Sequence, residues 1–113
     1  MNTFDKKSVN YSASGVVLGN LWSGEEVGYP AKDYSADTYK DLVTQLETAL
    51  EDNSLDDGMG FESLIAAFMV VTTITTITIN DKEFINKEQK ELVIGKTSDE
   101  NIEFLENLYY EQY

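Results

Sequence analysis

Any chemistry in this chain has to be carboxylate chemistry. The 113 residues carry 21 Asp and Glu against 8 basic residues, all of them lysine, with no histidine and no cysteine. These absences exclude disulfides, Cys/His zinc sites, thiolate nucleophiles, histidine bases, Ser-His-Asp triads and arginine fingers. What acids alone can do is narrower. Glu88-Gln89-Lys90 and Asp5-Lys6-Lys7 satisfy the acid-x-Lys element of metal-dependent nucleases, but this composition yields such triplets by chance. A nuclease must also hold DNA, which a net charge of −13 repels. A calcium-hand loop starting at Asp52 is matched at Ser54 and Asp56. It fails where it is most diagnostic, with Asp57 at the glycine position and Ser63 at the bidentate one. Glycosidase-like carboxylate pairs occur anywhere among so many acids and carry no information. Gly15, Gly19, Gly24 and Gly28 miss the dinucleotide and phosphate-loop spacings. The chain therefore reads as non-enzymatic, with no cofactor and no metal.

The carboxylates gather in two lysine-free stretches, 41–81 and 97–113. In the second, a helical projection puts Asp99, Glu100, Glu103, Glu106 and Glu111 on one face, with Tyr110 among them. Ile102, Phe104, Leu105, Leu108 and Tyr109 take the other. No lysine follows Lys96, so no i,i+4 ion pair relieves that acidic face, and like charges at this spacing are mildly destabilising. The first stretch holds Glu47, Glu51, Asp52, Asp56, Asp57 and Glu62. Both clusters read either as solvated surface or as a partner-binding surface. Trp22, in a glycine-bearing turn beside Glu25 and Glu26, and Tyr29, Tyr110 and Tyr113 read either as half-buried structural aromatics or as interface anchors.

Positioning these residues requires a small number of elements. Val9 to Leu21 alternates as a strand, and the turn 22–28 leads to a short second strand, Tyr29 to Tyr34, placed at an edge by Pro30. Ser35 and Asp37 compete to cap a helix whose apolar positions run from Tyr39 to Leu50 and which ends near Asp52. Phe61, Leu64, Ile65, Phe68 and Met69 fall at helical spacing, so a short helix is expected near 60–69, passing into a strand near 71–79. The same residues are also compatible with one long strand. Asn80-Asp81-Lys82 is hairpin chemistry, returning as a strand from Glu83 to Ile94. Ser98-Asp99-Glu100 then starts a final helix that runs nearly to Tyr113. The threonines of 72–78 suit a central strand with a solvated face; at an edge they would pair with a second copy, giving a homodimer. The expected fold is α+β: one domain over residues 1–113, with a small antiparallel sheet of about four strands, in two hairpins, packed with two to three helices.

The start of the chain has no apolar core of a signal peptide, and the apolar run Leu64 to Val71 is too short to span a bilayer. A cytoplasmic protein of a bacterial host cell is expected. Lysine in place of arginine, with many Asn and Ile, suggests an AT-rich bacterial, phage or plasmid genome.

A small acidic domain without His or Cys and with acidic helix faces resembles the anti-defence proteins of phages and mobile elements. These are the anti-CRISPR and anti-restriction inhibitors, several of which act as DNA mimics. The resemblance covers size and charge over the whole chain. It implies that carboxylates occupy the basic, nucleic-acid-binding surface of a defence nuclease, such as a Cas nuclease, and block DNA or guide engagement. Direct contact with nucleic acid or membrane is not expected. The alternative is a protein-binding or oligomeric accessory protein without mimicry.

Overall fold

The computed structural model describes residues 6–58 and 60–112. Five strands and two helices follow in the order β1 (Lys6–Asn20), β2 (Glu26–Pro30), β3 (Tyr34–Ala36), α1 (Tyr39–Glu51), β4 (Ser63–Ile79), β5 (Lys82–Gly95) and α2 (Asp99–Gln112). The strands form one antiparallel sheet in the order β2-β1-β4-β5, with β3 also paired to β1 beyond the end of β2. The α+β class agrees with expectation; among the described residues there are five strands and two helices, and the single strand expected from Tyr29 to Tyr34 is replaced by β2, which starts at Glu26, and the separate β3. Pro30 lies on edge strand β2, where a missing N–H donor costs no ladder bond.

The expected short helix near 60–69 does not form. Ser63–Ile79 is one 17-residue strand. The reason is burial on both faces. Residues 66–71 are all buried, and alternate ones enter different layers. Ala67, Met69 and Val71 pack with Leu42, Leu46 and Ala49 of α1. Ala66, Phe68 and Val70 pack with Leu105 of α2. A strand covered on both sides reads as a continuous apolar run, within which helical spacing is also satisfied by accident. A bulge reinforces the confusion: the register steps from Leu18↔Ala66 to Gly19↔Leu64, leaving Ile65 without a partner on β1.

Local chemistry sets the ends of the elements. The cap of α1 is Thr38, one residue beyond the expected Asp37, with its side-chain oxygen accepting from the Asp41 N–H. Ser98 caps α2 as expected, its Oγ accepting from the Asn101 N–H at 3.3 Å. Asn80 (φ 50°) and Asp81 (φ 65°) both adopt the left-handed region that a two-residue hairpin turn matching the twist of its strands requires.

The molecule measures 63 × 25 × 21 Å. Its length arises because the helices cover only part of the sheet. Beyond Tyr11, Val71 and Glu91, the ends of β1, β4 and β5 continue as a three-stranded arm, residues 6–10 and 72–90, which the helices touch only at its root. Along it β4 is half-buried only by its neighbours, and β5 is exposed, with Phe84 54% and Ile85 66% accessible. The threonine-rich segment is thus central, between β1 and β5, and among the described residues both flanking strands, β1 over residues 6–10 and β5, leave an outer edge unpaired along the arm.

Candidate functional site

Three connections meet at the end of the sheet opposite the arm. The β1–β2 turn is closed by the Leu21 N–H donating to the Glu25 carbonyl at 2.9 Å and the Gly24 N–H donating to that of Leu21 at 2.8 Å. The α1–β4 loop is tied to the same end: the Glu62 N–H donates to the Asn20 carbonyl at 2.9 Å. Asn53 bridges the start of β4 by donating to the Glu62 carbonyl and accepting from the Leu64 N–H. The third connection, from β5 into α2, begins at Gly95, whose backbone lies against Ile65 and the Leu50 side chain.

These connections assemble carboxylates that are far apart in sequence. Glu25 and Glu26 come from the hairpin, Glu51 and Asp52 from the end of α1, Glu62 from the entry to β4, and Asp99 and Glu100 from the start of α2; all are exposed. Because α1 and α2 cover opposite faces, parts of the two predicted clusters, Glu51, Asp52 and Glu62 with Asp99 and Glu100, share one end of the rod but on opposite sides of the sheet. Glu26 and Phe104 line a shared cleft with Leu18 and Asn101, which joins the hairpin to the acidic helix. Glu25 and Glu26 were not among the expected cluster residues. The signal for them was their place beside Trp22, which is 87% exposed on that hydrogen-bonded turn.

The remaining predicted residues divide. Glu103 is exposed in the first half of α2, while Glu106, Tyr110 and Glu111 follow the helix back toward the arm. The Tyr110 hydroxyl donates to Glu91 Oε1 at 3.0 Å, and this bond together with the Glu91 charge raises its pKa above the ordinary 10.0. Asp57 is exposed on the flank, near the β2–β3 connection. Asp56 is corrected: it is 7% exposed, its backbone bridges Ala31, and Oδ2 accepts from the Gly60 N–H at 3.1 Å. It holds the loop.

The aromatics also divide. Tyr109 packs on Phe68 with ring centroids 5.5 Å apart, and Tyr29 on Phe61 at 5.6 Å. Phe104, expected inside, is 46% exposed; the covered part of its ring and the Leu108 side chain seat on Gly28 of β2, in the space of an absent Cβ. Tyr113 lies outside the described residues.

Charge follows the shape. The arm carries Lys6, Lys7, Lys82, Lys87 and Lys90 against Asp81, Glu83 and Glu88, whereas residues 11–71 and 91–112 hold 17 acids and three lysines. The molecule is a rod with a strongly anionic body and a weakly cationic arm. Among the described residues, no three acids converge as metal ligands, and no helix is long and apolar enough to cross a membrane. In comparisons with known proteins, no protein family, no curated protein and no solved structure matches this chain.

Proposed function

We propose that this protein is a non-enzymatic inhibitor whose acidic end occupies the basic nucleic-acid-binding surface of a bacterial defence nuclease, in the manner of an anti-CRISPR DNA mimic, within the host cytoplasm. The observation that carries the reading is the convergence of exposed carboxylates from three separate connections on one end of the rod, with an exposed tryptophan among them. Carboxylates on helix faces, about 5–6 Å apart, present acceptors to lysine and arginine much as a phosphate row does. Trp22 supplies the kind of aromatic anchor on which protein interfaces concentrate their energy. Association would be steered by charge, competitive with DNA or guide RNA, and weakened by salt.

The test is inhibition of a purified Cas effector nuclease, measured by DNA binding at low and high salt. Reversing Glu25, Glu26, Asp99, Glu100 and Glu103 to lysine abolishes inhibition while the thermal melt stays cooperative. Inhibition that survives this change removes the reading. A second reading, an oligomeric accessory protein, draws support from the arm with its unpaired strand edges; it has no requirement for the acidic end.

A further inference from the structure

The outer edge of β5 is open along the arm. β5 pairs with β4 in unbroken register from Lys82 to Gly95, and no strand lies on its other side among the described residues. Such an edge presents a row of free N–H and C=O groups, which proteins usually blunt with charged side chains, a proline, a bulge or a covering element; of these the open half of β5 has charges alone, and they are of both signs. β5 has no proline and no register shift, and no helix covers its first half.

The charge order along this edge is its own complement. Read outward from Ile85, the sequence is Asn86, Lys87 and Glu88 in one direction and Phe84, Glu83 and Lys82 in the other. An antiparallel pairing of two β5 strands about a two-fold axis at Ile85 therefore sets Lys82 opposite Glu88 and Glu83 opposite Lys87. Each pair is made twice, and Ile85 faces its own copy. Paired residues also share a face of the sheet, because alternation along both strands is preserved.

We propose that two copies of this chain join through antiparallel pairing of their β5 edges centred on Ile85, extending two sheets into one. This inference does not depend on the inhibitor reading. Two further observations select this partner and this register. The bodies are strongly anionic and repel one another, and pairing at the arms directs the two acidic ends away from each other. A slip to a centre at Gln89 would also alternate charge, but it would use Lys90 and Glu91, which both have partners within the chain, whereas in the Ile85 register Glu88 has one long contact, from the Asn86 amide at 3.5 Å. Lys90 Nζ lies 5.5 Å from the Tyr39 ring centroid, and Glu91 accepts from Tyr110.

The absence of cysteine makes a clean test. Directly opposed cross-strand residues have Cβ atoms about 4.5–5.5 Å apart, close to disulfide reach. Under mild oxidation Ile85→Cys forms a covalent dimer, and Gln89→Cys does not. Sedimentation equilibrium of the full chain shows a mass that doubles with concentration. Lys87→Glu alone and Glu83→Lys alone each raise the dissociation constant about tenfold, and combining them restores it, because the opposed pair is then rebuilt with signs exchanged. A monomeric mass up to about 1 mM, near the weak limit of specific association, overturns the proposal. So does cross-linking at Gln89 in place of Ile85, or a dimer indifferent to the charge exchange.

Discussion

The Tyr110 hydroxyl is hydrogen-bonded to Glu91 Oε1 at 3.0 Å, which fastens the second half of α2 to edge strand β5 at the root of the arm. Tyr109 meets Tyr110 edge-on at 5.4 Å between ring centroids and Phe68 at a tilt at 5.5 Å, so two adjacent tyrosines link the helix to both the surface and the core. A residue expected to serve a partner thus has a contact within the fold.

That bond has a signature at alkaline pH. The Glu91 carboxylate accepts a hydrogen bond from the phenol and its charge disfavours tyrosinate, so the Tyr110 pKa is raised above 10.0; that of Tyr34 is raised as well, by burial first and then by the Asp52 charge. A raised folded-state pKa means that each tyrosine's contribution to stability is complete below pH 10 and is lost as pH climbs through the folded value. Ultraviolet titration of tyrosinate should show a late-ionising fraction, reduced in Tyr110→Phe. An unchanged titration curve in that variant would contradict the assignment.

Two glycines should respond very differently to alanine. A Cβ on Gly15 would lie 2.0 Å from the Phe68 carbonyl oxygen and 2.8 Å from Met69 Cα, both backbone atoms in the paired strand. Nothing there can swing aside, so Gly15→Ala should separate β1 from β4 and cost about 3 kcal/mol or more. Gly24 has φ +87° with nothing within 4 Å of a built Cβ, so Gly24→Ala carries only the backbone strain of about 1 kcal/mol. Urea titrations of the two variants compare these costs directly.

Asp56 and Asp57 are neighbours in sequence with opposite roles. Asp56 is buried and accepts from the Gly60 N–H, while Asp57 faces solvent. Asp56→Ala should destabilise the fold by about 1–2 kcal/mol through the orphaned donor. Asp57→Ala should stay within about 0.5 kcal/mol of the parent chain. Equal melting temperatures for the two variants would refute the distinction.

What the sequence revealed, and what it hid, follows from how many surfaces each element buries. α1 has one covered face, so its period at Tyr39, Leu42, Leu46, Ala49 and Leu50 was readable. The hairpin at Asn80 and Asp81 is specified by local turn chemistry and was also readable. β4 is covered on both faces over residues 66–71, so its alternation vanished and its first part imitated a helix. The acidic character of both clusters was legible from composition. That parts of both share one end was not, because it depends on β1 pairing with β4 across more than forty intervening residues. The burial of Asp56 was equally hidden, since an acid in a polar loop carries no mark of the backbone donor it will accept.

The anionic body strains itself electrostatically. Seventeen acids against three lysines over residues 11–71 and 91–112 should repel one another across the compact part of the molecule. Raising NaCl from about 0.02 M to about 0.5 M shortens the Debye length severalfold and should raise Tm by about 5 °C, corresponding to ~1 kcal/mol. A melting temperature that is flat or falls over this range would show that the acids are already compensated within the fold.

The two core layers should behave as independent stores of stability. Leu46 lies between α1 and one face of the sheet, Leu105 between α2 and the other, and both are 0% exposed. Each truncation to alanine removes a buried isobutyl group and leaves a cavity, at a cost of about 3 kcal/mol. The leucines share no packing partner within either cluster, so the double variant should lose close to the sum, within about 0.5 kcal/mol. Denaturant titration of the two single variants and the double variant gives the coupling energy. A coupling well above that figure would mean that β4 transmits repacking from one layer to the other, through the alternating side chains of residues 66–71.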